Sequence, residues 1–356
     1  MHEERIPLNG TFELTARCNL KCKMCLVRVD EETISSLGLR ELTTKEWIDL
    51  AKQARESGTL QLLLTGGEPM LRKDFCKIYT EIYKMGFVIV LYTNATLVSD
   101  KVMDVLEKCP PHQIGISVYG SNPSIYEKVC GSGNAFYRMV DGVKKLTTLP
   151  SSINIRTTII KDNIGDYKNI YMLAKSFGED ITFSRSRLFC RTTRHGIADV
   201  DACRLSPEEN IDFIYGAYLE RLSKDLIDKP IEIEYTVEEK KSELFGCDAG
   251  IQSYTITWDG KLIGCQLLGE FMTDPLSEGF EKVWETFVET VPELKQIDTC
   301  RDCKYKLFCM ACPALRYCET KSLFGNPKYL CREAEYSHKI LEKLISTKGS
   351  EIYENV

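Results

Sequence analysis

Three cysteines lie within eight residues of one another near the start of the chain, in the segment ARCNLKCKMCLVR (16–28). No fourth cysteine stands beside Cys18, Cys22 and Cys25 in the sequence. A structural zinc ion usually takes four ligands and a disulfide takes two. Three thiols therefore indicate a metal centre with one open position. The alternatives are a zinc site with a remote fourth ligand, or chance spacing.

The 356 residues include 16 cysteines, and eight of these lie between 247 and 331. In a reducing cytosol disulfides are rare, and closely spaced cysteines indicate metal binding. The N-terminus MHEERIPLNGTFEL has no apolar signal core, and the run FVIVLY (87–92) is far too short to span a bilayer. The net charge of −6 gives no electrostatic reason to expect nucleic-acid binding. We expect a soluble, cytoplasmic protein.

Apolar runs and amphipathic segments alternate through the first half of the chain. Six runs are typical of buried strands: 12–16, 60–65, 87–93, 113–119, 153–160 and 181–189. Helical patterns lie between them at 43–58, 73–85, 98–108, 135–148 and 164–177. This order predicts parallel βαβ units, in an open doubly wound sheet or a partial barrel. In both folds the active face lies at the carboxyl ends of the strands, and Cys18 follows the first strand directly.

The regular alternation of strand and helix patterns ends after about residue 205. The sequence predicts a helix at 206–222, a strand at 231–237, a hairpin at 254–265 with Asp259-Gly260 as its turn, and a final helix at 332–347. The segment CRDCKYKLFCMACPALRYC (300–318) is too short to build an apolar core, and its cysteines indicate metal binding. We predict domain boundaries at 1–205, 206–245 and 246–356.

A second motif, LLLTGGEPMLR (62–72), follows the second predicted strand. Gly66 and Gly67 allow the backbone to approach a ligand closely, and Pro69 stiffens the exit. A Gly-Gly turn alone is weak evidence of function. This one stands at the same edge of the sheet as the three thiols, which strengthens it.

The segment CNLKCKMC, followed about forty residues later by GGEP, resembles the radical S-adenosylmethionine (SAM) superfamily. The resemblance covers roughly residues 10–190 and implies a partial (β/α)6 barrel. It also implies a [4Fe–4S] cluster whose open iron is chelated by SAM. One electron then cleaves SAM to a 5′-deoxyadenosyl radical, which removes a hydrogen atom from the substrate.

The resemblance assigns roles by position. Cys18, Cys22 and Cys25 would ligate the cluster, and four residues would line the site of the SAM amino group: Gly66, Gly67, Glu68 and Pro69. Polar residues at later strand ends would contact the ribose and carboxylate of SAM, or make only ordinary strand-end hydrogen bonds: Thr93, Asn94, Ser117 and Arg156.

The C-terminal cysteines allow two interpretations. The two C-x2-C pairs, Cys300/Cys303 and Cys309/Cys312, would suit zinc. The whole pattern instead resembles the SPASM extension of some radical SAM enzymes, which implies two auxiliary [4Fe–4S] clusters and three clusters in all. One would be held by Cys300, Cys303, Cys309 and Cys331, and the other by Cys247, Cys265 and Cys312.

Two features depart from the SPASM pattern. Met310-Ala311 gives two residues between the last two cysteines of the central run, where the family usually has three. No cysteine lies just upstream of Cys247 to complete the second set. Cys318 is one candidate for the fourth ligand, and an iron left open for substrate is the other.

The remaining cysteines are expected to be mostly small buried side chains: Cys76, Cys109, Cys130, Cys190, Cys203 and Cys318. Cys190 lies near the end of the sixth strand and is a candidate ligand or hydrogen-atom donor. It belongs to a basic stretch, SRSRLFCRTTRHG (184–196), which is a solvated loop or an anion-facing rim. His195 in this stretch is a weak candidate for a general acid or base.

The resemblance implies an enzyme that modifies a ribosomal peptide or protein, by cross-linking, thioether formation, epimerisation or oxidation. Many such enzymes carry an N-terminal winged-helix domain, whereas only 17 residues precede Cys18 here. A separate leader-binding protein would then present the substrate, or the pocket would recognise it directly. Flavodoxin or ferredoxin would supply electrons.

Two other functions remain open. One is radical dehydrogenation or rearrangement of a small molecule, or formylglycine formation as in sulfatase maturation. The other is a non-catalytic zinc or electron-transfer protein, which would not need an open iron beside a Gly-Gly turn.

Overall fold

The structure is a computed structural model that describes residues 5–188, 200–214, 245, 247–291, 300 and 302–354. The chain divides into two compact units. The first comprises Met1–Arg204 and Cys247–Pro292, and the second comprises Leu205–Gly246 and Glu293–Val356. Among the described residues, every helix is too short or too polar to cross a membrane.

The first unit is built on a nine-stranded sheet in the order β6-β5-β4-β3-β2-β1-β7-β8-β9. Strands β1 to β6 are parallel, β7 pairs in parallel with β1, and β8 and β9 are antiparallel. The strands are β1 Asn9–Glu13, β2 Gln61–Thr65, β3 Val88–Thr93, β4 Gln113–Ser117, β5 Ser152–Ile159, β6 Thr182–Arg187, β7 Ser253–Ile256, β8 Leu262–Ile263 and β9 Met272–Thr273.

Helices connect the parallel strands. In chain order they are α1 Glu31–Ser36, α2 Thr44–Glu56, α3 Phe75–Lys84, α4 Asp100–Lys108, α5 Pro123–Cys130, α6 Asn134–Leu146, α7 Tyr167–Ser176 and α8 Val200–Cys203. Helix α2 shows why these segments fold. The Thr43 hydroxyl and the Glu46 carboxylate cap its first turn reciprocally, and one face of the helix is fully buried. The Trp47 ring on that face lies 5.2 Å from the Phe12 ring of β1.

The two faces of the parallel sheet differ in polarity. Alternate residues such as Phe12 and Phe183 pack against helices, since Phe183 contacts Tyr167 and Tyr171 of α7. The opposite face carries polar side chains that bond across strands. Asn154 Nδ2 donates to Thr182 Oγ1 and Ser184 Oγ at 2.7 and 3.0 Å. These bonds join β5 to β6.

The predicted α/β fold is confirmed, including all six parallel strands. Strand β1 begins and ends three residues earlier than predicted. Helices α1 and α5 were missed. Helix α1 buries none of its residues, so it has no apolar periodicity to read. Helix α5 did carry a readable start signal, the Asn122 cap followed by Pro123.

The compact units change near residues 205 and 246, within one residue of the predicted boundaries, but residues 247–292 are grouped differently from the prediction. The hairpin forms between β7 and β8, and Gly260 at its turn has a φ of +88°. Because β7 pairs with β1, residues 247–292 belong to the first unit rather than to a separate C-terminal domain. This stretch also contains α10 Pro275–Glu278 and α11 Phe280–Thr290.

The second unit is helical where it is described. It contains α9 at residues 207–214, α12 Pro313–Thr320 and α13 Lys328–Glu354, and α13 is longer than predicted. Helix α9 bonds to α13 through Arg332–Glu208 and Tyr336–Asp212. The predicted strand at 231–237 and residues 215–222 of the predicted helix lie outside the described residues.

Candidate functional sites

The three N-terminal thiols lie together in the loop that follows β1. All three are half-buried, and Cys25 N donates to Cys22 O at 3.2 Å. Burial raises the pKa of the Cys18 and Cys25 thiols. Charge on Cys22 and Cys25 would raise the pKa of Cys18 further, which reflects how near the three sulfurs are.

Nitrogen donors point at these sulfurs. Cys18 Sγ accepts from Leu20 N at 3.4 Å and from Asn94 Nδ2 at 3.7 Å, and Cys25 Sγ accepts from Arg28 N at 3.2 Å. Arg28 Nε is buried without a hydrogen-bond partner, and the Arg28 charge acts on Cys22 and Cys25. Hydrogen-bond donors to the sulfurs and a nearby guanidinium both stabilise negative charge on thiolates. The residues present therefore fit an iron–sulfur cluster.

A fourth thiol at this site was missed. Cys130, the last residue of α5, is fully buried, and its thiol acts on the nearby Cys22 thiol to raise the pKa of Cys22. The backbone joins the two segments, since Lys21 N donates to Cys130 O at 2.8 Å and Lys23 N to Val129 O at 3.0 Å. Cys130 follows strand β4, which ends at the same edge of the sheet as the three thiols. This position in the sequence could have indicated that Cys130 lies near them.

The Gly-Gly turn packs directly against the residues that precede Cys18. Gly67 N donates to Thr15 O at 2.7 Å, and Glu68 N donates to Arg17 O at 2.9 Å. A Cβ on Gly67 would stand 2.2 Å from Arg17 O. Gly66 has a φ of +136°, and its Cβ would stand 2.5 Å from Thr15 O. The two glycines are therefore required for the turn to reach the thiol loop.

Glu68 is completely buried in this turn. Its carboxylate accepts from Thr93 Oγ1 at 2.8 Å, Asn94 N at 2.8 Å and Met70 N at 3.1 Å. Burial raises the pKa of Glu68 to about 7, although these donors act to lower it. The carboxylate joins the turn after β2 to the end of β3, and it places a titratable group beside the predicted SAM site.

A second ionic group, missed by sequence reasoning, supports the same edge. Glu41 accepts from the Thr15 hydroxyl and pairs with Arg17 at 2.8 Å. Burial alone would raise the pKa of Glu41, but the hydrogen bonds from Arg17 and Thr15 hold it below its usual value. Arg72, at the end of the turn, donates to Leu14 O at 2.8 Å. These bonds fix the turn and the start of the thiol loop to one another.

The predicted contacts to the ribose and carboxylate of SAM lie on adjacent strands. Asn94 touches Cys18, as described above, and Ser117 on β4 is the register partner of Arg156 on β5. Arg156 Nη1 donates to the Tyr92 hydroxyl, and its guanidinium carbon lies 4.4 Å from the centre of that ring. Gly115 stands between them, since a Cβ there would lie 2.5 Å from the Tyr92 ring. Roles for these residues in SAM binding stay predictions.

Four C-terminal thiols affect one another in the second unit. Burial raises the pKa of Cys331, and charge on Cys309, Cys300 or Cys303 would raise it further. Arg316 Nη2 donates to Cys300 Sγ at 3.4 Å. These four are the cysteines predicted to hold one auxiliary cluster, and their proximity fits that group.

The other predicted auxiliary set is divided between the units. Cys247, which is exposed, and Cys265 belong to the first unit, whereas Cys312 and Cys318 belong to the second. Cys312 begins α12, where its sulfur accepts from Leu315 N at 3.4 Å. Cys318 is buried in the same helix. This set stays a prediction.

Two candidates, Cys190 and His195, lie outside the described residues. The described part of the basic stretch includes Arg185, which donates to the Tyr167 hydroxyl at 3.0 Å on the helix-covered face.

Among the described residues, no three His, Cys, Asp or Glu side chains meet closely enough to hold a single metal ion. The ligands of a single zinc ion must all reach one point. In a cubane each thiolate binds a different iron, so the sulfurs can stand further apart.

Residues 12–174 match the model of the radical SAM superfamily. These residues form a radical SAM domain. The match includes the three thiols and the Gly-Gly turn. "AdoMet-dependent heme synthase" of Methanosarcina barkeri is 25% identical over 337 residues, which cover 89% of this chain and 94% of that relative.

Solved structures share the fold over most of the chain. Streptococcus suis SuiB bound to precursor peptide SuiA has a TM-score of 0.69 at 15% identity, covering 92% of this chain and 76% of SuiB. Native anSMEcpe with bound AdoMet has a TM-score of 0.70 at 16% identity, covering 97% of this chain and all of that one. The likeness in fold therefore extends beyond the radical SAM domain.

Proposed function

We propose that this radical SAM enzyme binds SAM at the open corner of a cluster held by Cys18, Cys22 and Cys25. SAM and the cluster supply the 5′-deoxyadenosyl radical that takes a hydrogen atom from the substrate. The observation that carries the proposal is the position of the Gly-Gly turn. Two backbone hydrogen bonds join it to residues 15–17, which directly precede Cys18. Neither a zinc knuckle nor a ferredoxin requires such a turn.

The residues around the thiols perform three tasks in this proposal. The donors on Cys18 and Cys25 stabilise the thiolates. The buried Glu68 carboxylate provides negative charge where the SAM amino group is expected. Glu41 and Arg72 hold the turn and the thiol loop in register.

For the substrate, we propose a peptide or protein, whose amide groups suit the polar face of the sheet. Support comes from the fold shared with SuiB, which was solved with its precursor peptide. In this proposal Cys300, Cys303, Cys309 and Cys331 of the second unit hold an auxiliary [4Fe–4S] cluster.

A second candidate is a step of heme synthesis. It is favoured by the heme synthase of M. barkeri, which matches this chain over nearly the full length of both proteins. Such a reaction would use the same radical SAM site on a small molecule.

One experiment separates the two candidates. The gene is expressed without oxygen together with each short peptide encoded beside it. In a separate experiment it is expressed in a heme-deficient host. A mass change in a peptide that requires Cys22 supports peptide modification. Heme formation that requires Cys22 supports the second candidate and overturns the first.

A further inference from the structure

A guanidinium lies against the four C-terminal thiols. Arg316 stands in the middle of α12, and its Nη2 donates to Cys300 Sγ at 3.4 Å. Its Nη1 donates to Gly325 O at 3.2 Å, so both arms of the fork are held. Because both arms are engaged, the charge stays at a fixed place beside the sulfur.

The helix that carries Arg316 is well anchored. Cys312 caps its first turn, Pro313 occupies the first helical position, and Lys321 ends it in a left-handed conformation. Leu315, next to Arg316, is buried, as is Cys318 two residues on. Rotation of the helix would expose these side chains, so the direction of Arg316 is set by packing.

A [4Fe–4S] cluster gains one negative charge when it accepts one electron. A fixed cation and an N–H···S bond both stabilise that extra charge, and hydrogen bonds to the sulfurs are known determinants of cluster potential. We propose that Arg316 raises the reduction potential of the auxiliary cluster held by Cys300, Cys303, Cys309 and Cys331. This inference rests on the auxiliary cluster of the proposed function.

The test is an anaerobic redox titration of the full-length holoenzyme with dithionite, followed by electron paramagnetic resonance. The signal of this cluster is the one that Cys303→Ala loses. We expect the midpoint of Arg316→Gln to move to a more negative potential. Arg316→Lys, which keeps the charge but loses the fork, should lie between it and the wild type. Lys339→Gln removes one positive charge from an exposed position paired with Glu335 and should not move the midpoint.

Separate outcomes identify what has failed. An unchanged midpoint in Arg316→Gln with full iron content overturns the role of Arg316 and leaves the cluster in place. A wild-type protein with no signal sensitive to Cys303→Ala overturns the auxiliary cluster itself. If Arg316→Gln takes up less iron, the midpoint of Arg316→Lys decides the question.

Discussion

The two cysteine sites of this chain differ in what surrounds their thiols. The N-terminal site has three predicted ligands, and a Gly-Gly turn with a buried carboxylate lies beside them. The C-terminal site has four neighbouring thiols and a guanidinium hydrogen-bonded to one of them. A set of four ligands closes a cubane, whereas a set of three leaves one iron for another molecule. In the proposed function, the first site binds SAM and the second stores an electron.

The largest expected effect separates ligand cysteines from the other thiols of the first unit. Cys22→Ala should abolish SAM cleavage and lower the bound iron by about four atoms per chain, because the cubane loses one of three protein ligands. Cys76→Ala, at a half-buried position of α3, is the matched control and should keep both. Iron analysis and the yield of 5′-deoxyadenosine decide the matter, and a Cys22→Ala protein that still cleaves SAM would contradict the assignment.

The C-terminal site should fail in a different way. Cys303→Ala should also lose about four irons, yet continue to cleave SAM when reduced, since the N-terminal site is intact. Conversion of substrate should stop. Measuring 5′-deoxyadenosine and product in the same reaction sharpens the comparison. Equal loss of both would mean that the two sites do not have separate roles.

Glu68 should make the stability of the metal-free protein depend on pH. Its pKa is about 7 when folded against 4.5 for the model carboxyl. The folded state thus keeps a proton that the unfolded state releases. Stability should be greatest below the unfolded pKa and fall by about 3 kcal/mol as the pH rises from about 4.5 to about 7.

Urea unfolding at about pH 5 and about pH 8 measures this term as the difference between wild type and Glu68→Gln. Glu46→Gln is the control. The pKa of Glu46 is held at about 2 by hydrogen bonds from Arg40 and the Thr43 cap, so it should add no difference between these two pH values. A Glu68→Gln protein with the wild-type pH dependence would show that Glu68 does not titrate in this range.

The smallest effect concerns the Gly-Gly turn. Gly67→Ala should destabilise the protein by about 1–3 kcal/mol, because the added methyl would overlap Arg17 O. It should also weaken SAM binding. Gly165→Ala, whose Cβ would meet nothing within 4 Å, should change stability by less than about 0.5 kcal/mol. Unfolding by urea and equilibrium binding of SAM measure the two effects. A Gly67→Ala protein that matches Gly165→Ala would mean that the close approach is not required.

Sequence periodicity and spacing were sufficient for the six parallel strands β1 to β6 and for the proximity of the three thiols, because both follow from local patterns. The face of α2 with Trp47 and Leu50 could be read directly from its 3.6-residue period. Cys130 was missed, because its contact with Cys22 spans more than a hundred residues. Glu41 was missed because its partners Thr15 and Arg17 lie on another element of the fold.

The boundary near residue 246 shows a different limit. The hairpin was readable from Asp259-Gly260, but the pairing of β7 with β1 depends on an edge that only the folded sheet presents. The sequence therefore marked a boundary near residue 246, but it did not show that residues 247–292 join the first unit.

The most direct test of the account is metal and product analysis of protein purified without oxygen. Iron, sulfide and zinc are counted per chain, then dithionite and SAM are added and 5′-deoxyadenosine is measured by mass spectrometry. We expect iron and sulfide in equal amounts, at about four of each per cluster, with 5′-deoxyadenosine that disappears in Cys22→Ala. Bound zinc with no cleavage of SAM would contradict an open iron at the three-thiol site.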